Sequence, residues 1–256
     1  MDIVVCTKNN EDTIKQSLQR ILAYASPRRI IVIDGLSKDR TTQIAAAMGA
    51  EVHTDYGKGL GYARNMALGL AKSSIVGFVD ADAYIQANWL TLGRHMVDRR
   101  VAAASATTLY GYGNLPLQRF HEWMAKRGGQ DVGFVSTLVR KSAVLEVGGI
   151  REDLTAYEDW ELKSRFDLHG FKWVCDREVV TLHPESLGGF LTHARRWGQG
   201  ARRSGVDLNK FLRPFLTSPL WGIRLSAEVH PIHSIYYPLL RLAYLKGYLS
   251  EAAALA

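Results

Sequence analysis

Two aspartates separated by one residue, Asp80-Ala81-Asp82, directly follow an apolar run with the composition of a buried strand. If that strand ends at Asp80, the turn after it can bring both carboxylates toward one point. Hard oxygen ligands of this kind suit Mg²⁺ or Mn²⁺ bridging to a diphosphate. The same residues also fit a turn that caps a helix beginning before Trp89. Both interpretations stay open from this motif alone.

A second motif is the glycine-rich segment Gly57-Lys58-Gly59-Leu60-Gly61, which leads into Ala63-Arg64-Asn65. A glycine-rich loop that opens a helix can cradle a phosphate on its backbone N–H groups, and Arg64 would then face the bound group. Tyr62 stands where the dinucleotide-binding fingerprint needs a glycine, and the segment has no Gly-Lys-Ser/Thr, so neither that fingerprint nor a Walker loop is present. The alternative is a flexible loop with a surface arginine.

Two further segments combine charge with aromatic rings. In Tyr157–Leu162 three acids lie beside two rings, and a carboxylate flanked by rings can have its pKa raised and act as a general base. The alternative is a solvated helix start with acids near its positive end. The segment His193–Trp197 places arginines beside an indole, which suits a phosphate next to a stacked sugar ring. A basic helix face with one buried tryptophan is the alternative there.

The elements that must position these groups alternate between strands and helices. Apolar runs predict strands at 2–6, 29–33, 51–53 and 75–79. Periodic apolar spacing predicts helices after Asn10, at 41–48 and at 63–71. This alternation, with short links, predicts an α/β fold built on a mostly parallel twisted sheet with helices on both faces.

In such sheets, ligands bind at the carboxyl ends of the strands. Polar groups follow four predicted strand ends: Thr7–Glu11, Asp34-Gly35, Asp80–Asp82 and His183. Because carboxylates gathered on one rim repel each other, we expect a cation, or a ligand rich in hydroxyl and N–H donors, to join them.

The composition limits the class of protein. The 256 residues are 47% apolar and 22% charged, which is ordinary for a globular chain and excludes disorder and a collagen-like structure. Cys6 and Cys175 are too few for a disulfide framework or a four-cysteine zinc site, and both are predicted to be reduced core thiols. No basic-then-apolar signal peptide opens the sequence, so a cytoplasmic or cytoplasm-facing protein is expected.

The net charge of +7 is concentrated near the end of the sequence. From Ser186 onward, nine lysines and arginines stand against three acids, and four of the seven prolines also lie there. Such a segment could meet nucleic acid, anionic lipid or a phosphorylated substrate. The change in composition predicts a boundary between an α/β domain at 1–205 and a basic helical segment at 206–256.

Part of this basic segment has the pattern of a helix that lies in a membrane surface, although Pro214 would bend or end it. Its predicted apolar stripe consists of Leu208, Phe211, Leu212, Phe215 and Leu216. The sequence has no run of about 18 predominantly apolar residues, so a full membrane span is not expected. The alternative is an ordinary helical subdomain packed on the rest of the protein.

Taken together and in this order, the motifs resemble those of the family-two glycosyltransferases, which have the GT-A nucleotide-sugar-binding fold. The family's Pro-Thr-Tyr-Asn-x-Glu is similar to Cys6–Glu11, and its Val-Asp-Asp-Gly-Ser-x-Asp-x-Thr is similar to Val32–Thr41. The other matching segments are Ala63-Arg64-Asn65, Asp80-Ala81-Asp82, Gly148-Gly149, Glu158–Leu162 and His193–Trp197. The resemblance covers roughly residues 1–200.

The resemblance implies roles for the matching residues. The implied donor-binding residues are Thr7, Asn9, Glu11, Asp34, Arg64 and Asp80. The implied ligands of Mg²⁺ or Mn²⁺ are Asp80, Asp82 and His183. The implied catalytic residues are Asp159 as general base, Arg196 as a brace for the diphosphate and Trp197 as the floor of the acceptor site.

The implied enzyme is an inverting, metal-dependent glycosyltransferase. It would move one sugar from a nucleoside diphosphate sugar to a lipid-linked or glycan acceptor at the cytoplasmic face of the cell membrane, as a peripheral protein or as part of a longer membrane protein. Lys8 replaces the family's tyrosine, and Ile33 and Leu36 replace an aspartate and a serine, so base stacking and nucleobase specificity stay open. His193 replaces the Gln/Arg that accompanies processive synthases, which favours transfer of a single sugar.

Two other function classes fit parts of the pattern. A sugar-nucleotide pyrophosphorylase would need a glycine-rich, arginine-bearing loop directly after the first strand, and Thr7–Glu11 contains no glycine. A non-enzymatic nucleic-acid-binding module would interleave aromatic and basic residues and would lack an acidic rim. The acidic rim argues against that module, so no nucleic-acid partner is expected.

Overall fold

The computed structural model describes residues 1–127 and 132–254. The chain divides into two compact units. The first consists of Met1–Thr108, Gln130–Asp153 and Glu158–His183, and the second of Leu109–Gly129, Leu154–Tyr157 and Pro184–Ala256.

The secondary structure begins with the predicted alternation of strands and helices. The strands are β1 (Asp2–Thr7), β2 (Arg29–Asp34), β3 (Glu51–Thr54), β4 (Ile75–Val79), β5 (Tyr84–Ile85), β6 (Val101–Tyr112), β7 (Ser136–Arg140) and β8 (Lys172–Pro184). The helices are α1 (Ile14–Tyr24), α2 (Thr41–Ala47), α3 (Leu60–Leu70), α4 (Leu115–Lys126), α5 (Lys141–Glu146), α6 (Glu158–Leu168), α7 (Leu187–Arg203), α8 (Asn209–Glu228) and α9 (His233–Ala254). A 3₁₀ helix spans Trp89–Val97.

The strands form one sheet in the order β3-β2-β1-β4-β7-β6-β8-β5. The half that was predicted is parallel: β1 pairs with β2 and β4, and β2 pairs with β3. The other half adds antiparallel pairings, between β4 and β7, between β6 and β7, and between β5 and β8. The sheet is therefore mixed, and its parallel half carries the strand ends on which the site was predicted.

The parallel half forms because its strands are apolar on both faces. Ile3, Val4 and Val5 of β1 are fully buried, as is typical of a parallel strand covered by helices on two sides. Ile3 and Val5 belong to a core that contains α1, whereas Val4 belongs to a second core that contains α3. Successive side chains of a strand point to opposite faces, so these two cores confirm the predicted helices on both faces.

The register of this half sets the position of the strand ends. Thr7 pairs with Asp34 across β1 and β2, and Gly35 N donates to Thr7 O at 2.8 Å. Because β4 also runs parallel to β1, the loops after β1, β2 and β4 leave the sheet at the same edge.

Both cysteines are free thiols in the described structure. Cys6 lies in β1, and burial raises the pKa of its thiol to about 12. That thiol is therefore protonated at neutral pH.

The second unit contains the helices α4, α7, α8 and α9 around an aromatic and aliphatic core. Glycines let α7 and α9 approach closely, since a Cβ atom on Gly247 would collide with the carbonyl of Arg195 and one on Gly198 with the carbonyl of Tyr244. Of the helices in the described residues, none combines the length and the apolar character that crossing a bilayer requires. The boundary predicted at residue 205 falls between α7 and α8 and stays a prediction.

Helix α8 differs from its prediction in two ways. It continues through Pro214, so of the bend or end that this proline predicted, the end is wrong. Its predicted surface stripe is also partly wrong, because the Phe211 ring lies 5.1 Å from the Tyr248 ring of α9 and is partly buried. Leu216 of the predicted stripe is 66% exposed, and the other exposed apolar side chains of α8 are Leu220, Ile223 and Trp221, at 71%, 64% and 40%.

Candidate active site

Three side chains that could hold a metal ion meet where β4 and β8 end. One ligand atom each from Asp80, Asp82 and His183 lies within 4.8 Å of the others. His183 is buried, and its Nε2 atom lies 3.1 Å from Asp82 Oδ1. Two carboxylates and an imidazole form a donor set that fits Mn²⁺ or Mg²⁺. The structure thus brings together the three residues that were predicted as metal ligands.

The Asp80 carboxyl has an environment that a cation would complement. Its pKa is raised, because burial disfavours the charged form and nearby Asp82 adds repulsion, while Arg64 and His183 favour ionisation. Arg64 Nη2 donates to Asp80 Oδ1 at 3.2 Å. A divalent ion beside Asp80 and Asp82 would remove the repulsion and favour both ionised forms.

Arg64 is a buried bridge rather than a surface residue, so the alternative of a surface arginine is wrong. Its guanidinium pairs with Asp80 after β4 and with Glu158 at the start of α6. The guanidinium carbon also lies 4.6 Å from the centre of the Phe134 ring. Arg64 therefore links α3, the end of β4 and the start of α6, and it neutralises two partly or fully buried carboxylates.

Asp159 follows Glu158 at the start of α6, and its carboxyl is desolvated. The pKa of Asp159 is raised to about 6, mainly because burial disfavours the charged form, while the charge of Arg64 lowers the pKa and the charge of Asp80 raises it. Trp160 N donates to Asp159 Oδ1 at 2.8 Å, which orients the carboxylate. This is not the solvated helix start that the sequence left open, because Glu158 is only 2% exposed and Asp159 is partly buried.

Asp34 ends β2 and is fixed by the turn that follows. Ser37 donates to the Asp34 carboxylate twice, through N at 2.9 Å and through Oγ at 2.5 Å. Asn9, in the loop after β1, donates from its N to Ser37 Oγ at 2.8 Å, and its own Oδ1 accepts from Lys38 N at 2.8 Å. The loops after β1 and β2 are thus joined into one rigid edge, which positions both predicted donor-binding residues.

The remaining donor-binding residues after β1 are held in the same way. Thr7 Oγ1 donates to Asn10 Oδ1 at 3.0 Å. Glu11 Oε2 accepts from both N and Nε of Arg40 at 3.1 Å, in the loop after β2. Glu11 is therefore anchored across the two loops, and this contact explains an acid at its position without any ligand.

Two N–H groups of the glycine-rich loop are bonded within the chain. Asp55, which precedes it, accepts from Gly57 N at 2.7 Å and from Gly59 N at 3.1 Å. A buried carboxylate of the chain itself thus occupies two of the N–H groups that a phosphate cradle in this loop could use. The loop serves to turn the chain into α3, which carries Arg64.

The Ala63-Arg64-Asn65 motif also contacts the Gly148-Gly149 motif. Ile150 N donates to Asn65 Oδ1 at 3.3 Å, and Asn65 Nδ2 donates to Glu152 at 2.7 Å. Gly149 has a φ of 82°, and a Cβ atom there would lie 3.0 Å from Asn65 Oδ1. These contacts hold the two motifs together.

Arg196 and Trp197 belong to the second unit, whereas the other predicted site residues belong to the first. Arg196 is exposed on α7. The Trp197 ring stacks on Tyr244 of α9 with the ring centres 5.7 Å apart, and it also contacts Phe190. His193 Nδ1 lies 2.9 Å from the Glu185 carboxylate.

Three residues of the site were not assigned a role from the sequence. Ser37 fixes Asp34, Asp55 fills the glycine-rich loop, and Glu158 balances Arg64. A serine three residues after a strand-ending aspartate is a recognisable turn pattern, so Ser37 had a signal. Glu158 had none beyond its place next to Asp159, because burial of a charged side chain depends on the tertiary structure.

Known proteins are similar to this chain in sequence and in fold. The family model described as "Glycosyl transferase family 2" matches residues 2–172. The succinoglycan biosynthesis protein ExoU of Rhizobium meliloti (strain 1021) is 27% identical over 200 residues, which cover 67% of this chain and 58% of that protein. The chain thus spans less than two thirds of this relative.

Two solved structures show the fold. The mannosyltransferase PcManGT of Pyrobaculum calidifontis, in complex with GDP-Man and Mn²⁺, has a TM-score of 0.65 at 20% identity, covering 99% of this chain and 75% of that one. The glucosyl-3-phosphoglycerate synthase of Mycobacterium tuberculosis, in complex with Mn²⁺, UDP and glucosyl-3-phosphoglycerate, has a TM-score of 0.54 at 17% identity, covering 80% of each chain. These likenesses confirm the predicted GT-A fold.

Proposed function

Because the chain belongs to glycosyl transferase family 2, we propose that it transfers one sugar from a nucleoside diphosphate sugar to an acceptor hydroxyl. The observation that carries the proposal is the convergence of Asp80, Asp82 and His183 in the unit that also holds Asp159, whose pKa is raised to about 6. Separate parts of the sequence thereby supply a cation site and a base.

Asp80, Asp82 and His183 would hold Mn²⁺ or Mg²⁺. When bound, the ion supplies positive charge that stabilises a departing diphosphate. Mn²⁺ accompanies the nucleotide in the complexes of both structural relatives, which supports this part of the proposal. Arg64 keeps Asp80 in place from within the protein.

Asp159 would act as the general base. Its carboxylate takes the proton of the acceptor hydroxyl while that oxygen attacks the anomeric carbon, on the side opposite the leaving diphosphate. The bond from the carbon to the diphosphate oxygen breaks as the new bond forms, so the configuration inverts. A pKa of about 6 leaves the base mostly ionised at neutral pH and still basic enough to accept a proton.

The nucleotide would lie along the rigid edge formed by the loops after β1 and β2. Asp34 has lone pairs beyond those that Ser37 uses, so its carboxylate can also accept from hydroxyl or N–H groups of the nucleoside. Thr7, Asn9 and Glu11 would border the same ligand. Arg196 would brace the diphosphate and Trp197 the acceptor, and both roles rest on their motif.

The acceptor would be a lipid-linked or glycan hydroxyl at the cytoplasmic face of the membrane. Helix α8 has an exposed apolar stripe formed by Leu216, Leu220 and Ile223. Two arginines of the same helix, Arg213 and Arg224, are also exposed. Apolar and cationic side chains on one surface helix favour an anionic membrane surface. His193 at its motif position favours transfer of a single sugar.

The donor is tested first. A panel of nucleotide sugars is screened by thermal shift with Mn²⁺ and with a chelator, since a ligand that binds the folded state raises its stability. We expect one donor class to raise the melting temperature only with the metal. Asp82→Ala should abolish that shift, whereas Asp153→Ala, which changes an exposed acid of the same unit, should not. A shift that survives Asp82→Ala would contradict the metal assignment.

The role of Asp159 as general base is tested by measuring the rate of sugar transfer. Asp159→Asn should keep donor binding and lower turnover by about 10²–10⁴-fold. The matched control is Asp167→Asn on the same helix, an exposed acid paired with Lys163. Turnover that is unchanged in Asp159→Asn would reject the base assignment.

A further inference from the structure

The second unit contains an apolar groove formed by α4, α8 and α9. It has a volume of about 300 Å³ and is lined by Phe120, Trp123, Met124, Arg127, Trp221, Leu225 and Tyr237. Arg127 is the only charged residue among those that line it. A volume of this size lies at the lower end of the range for small-molecule sites, and its lining would accept a hydrocarbon chain.

A polar cavity of about 520 Å³ adjoins this groove and shares Trp123 and Arg127 with it. Its other lining residues are Arg119, Glu122, Lys126, Glu228 and Val229. Three cations thus face two carboxylates, and one of these carboxylates is already engaged by protein cations. The cavity therefore favours an anion next to an apolar chain.

Glu228 organises the wall between the two spaces. One of its carboxylate oxygens accepts from Trp123 Nε1 and from Arg127 Nη2, both at 2.8 Å, and the other accepts from Arg224 Nε at 2.6 Å. The Arg127 guanidinium also stacks over the Trp123 ring, 4.0 Å from its centre. The wall is therefore held in place before any ligand arrives, and Glu228 is balanced by two arginines.

Arg119 and Lys126 are the cations left for a ligand. Both are exposed, and within residues 1–127 and 132–254 neither has a hydrogen-bond or ion-pair partner. Glu122, the other acid of the cavity, accepts from Gln118 Nε2 at 2.9 Å.

We propose that the groove binds one hydrocarbon chain of an anionic membrane phospholipid, whose phosphate is held by Arg119 and Lys126. The inference rests on the proposed function for the membrane as the source of the lipid. It adds a site at which a single lipid leaves the bilayer plane and enters the protein, distinct from the stripe on the outside of α8. Such a site would fix the protein at anionic membranes through one bound molecule.

The test uses soluble amphiphiles and the whole chain. Affinities of butyl, hexyl and octyl phosphate are measured by calorimetry below their micelle concentrations, beside inorganic phosphate and octyl trimethylammonium. We expect the affinity to rise about fourfold for each added methylene, because each buried methylene contributes a constant free energy. Inorganic phosphate alone and the cationic amphiphile should bind far more weakly. If octyl phosphate and octyl trimethylammonium bind equally well, the proposal that the ligand is anionic is contradicted.

Matched variants locate the site. Arg119→Gln with Lys126→Gln should weaken octyl phosphate binding at least tenfold, whereas Lys210→Gln with Arg213→Gln removes the same charge from α8 outside the two cavities and should change it little. An 8-bromooctyl phosphate should quench tryptophan fluorescence less in Trp221→Phe than in the original chain. In the control Trp160→Phe, quenching should be as strong as in the original chain. An equal loss of affinity in both double variants, or undiminished quenching in Trp221→Phe, would overturn the site.

Further measurements distinguish a bound lipid from a second copy of the chain, and this inference from the proposed function. A concentration-dependent dimer that does not bind octyl phosphate would show that a second copy of the chain covers the groove, and would overturn the proposal. Dihexanoyl phosphatidylglycerol should compete with octyl phosphate, and dihexanoyl phosphatidylcholine should not. Loss of transfer with lipid binding intact would contradict only the proposed function, and loss of lipid binding with transfer intact only this inference.

Discussion

The Arg64 guanidinium and the Glu158 carboxylate form an ion pair whose side chains are only 5% and 2% exposed. The pair joins α3 to the first residue of α6, and the residue that follows Glu158 is the proposed base, Asp159. Because Arg64 also donates to Asp80, one arginine holds the proposed metal ligand and the proposed base in a common frame. The arginine of the Ala63-Arg64-Asn65 motif is thus a buried residue that positions Asp80 and Glu158.

Replacement of Arg64 should therefore be costly for stability. Arg64→Met leaves the buried Glu158 carboxylate without its partner, and we expect the free energy of unfolding to fall by about 3–5 kcal/mol. Urea denaturation measures the loss. The control Arg40→Met breaks the exposed pair with Glu11, and it should cost only about 0–1 kcal/mol. A loss below that of the control would show that the buried pair is not structurally important.

The double variant Arg64→Met with Glu158→Met sharpens this prediction. It removes both charges, so it should recover part of the lost stability, since an apolar pair can replace a buried ion pair at little cost. Recovery should be incomplete, because Asp80 still lacks its donor. A double variant less stable than Arg64→Met would contradict the desolvation argument.

The pH dependence of transfer should follow Asp159. Its pKa is raised to about 6, mainly by burial, so the base is protonated below that value. We expect kcat/KM for transfer to fall as the pH drops through about 6. Initial rates over a pH series, with donor affinity measured separately, check this. A rate that stays constant well below this pH would contradict the role of Asp159.

The raised pKa of Asp159 also affects the free energy of unfolding. The folded-state pKa of Asp159 lies above the unfolded value, so ionising this carboxyl destabilises the fold. The penalty is absent below the unfolded pKa of about 3.9 and complete above the folded pKa. Asp159→Asn should therefore raise the melting temperature near neutral pH and have little effect near pH 3.5–4. A variant that lowers the melting temperature at neutral pH would contradict the sign.

The parallel half of the fold and the place of Asp80 and Asp82 at its edge could be predicted because local patterns determine both, whereas the role of His183 on β8 was implied by the resemblance. The runs at β1, β2 and β4 are apolar without interruption, which is typical of strands buried on two faces. Each is followed by a polar motif, and parallel strands must present those motifs at one edge. The edge of the sheet at which these motifs meet could therefore be predicted from local patterns.

The antiparallel half could not be predicted, because its local preferences disagree with its structure. In β6, Ala102, Ala103 and Ala104 are fully buried in a strand, although alanine has the highest intrinsic helix propensity. Small side chains are accepted there because other elements pack closely on both faces, which no short window of sequence reveals. The outer face of α8 was misplaced for a related reason: α8 has apolar residues on more than one side, and only packing against α9 shows which side is buried.

The close contact of α7 and α9 offers a test of the second unit. Gly247→Ala would push a Cβ atom into the Arg195 carbonyl, on the turn of α7 that carries Arg196 and Trp197. Backbone cannot give way as a flexible side chain can, so we expect a loss of about 1–3 kcal/mol in unfolding free energy. The control Gly188→Ala adds a methyl group where nothing lies within 4 Å. Equal stability of the two variants would show that the helices separate at little cost.

The outer stripe of α8 predicts how the chain meets a membrane. Truncation from Asp207 onward would remove two helices of the second unit, so a point substitution is the cleaner test. Leu220 is 71% exposed, and Leu220→Glu should weaken association with vesicles of phosphatidylglycerol and phosphatidylcholine about tenfold or more, because burial of a leucine contributes about 1.5–3 kcal/mol. Leu168→Glu changes a leucine that is 84% exposed at the end of α6 and should leave association unchanged. Cosedimentation at two salt concentrations measures both variants, and binding of the original chain should weaken with added salt. If Leu220→Glu sediments with the vesicles as fully as Leu168→Glu, the stripe is not the membrane-binding surface.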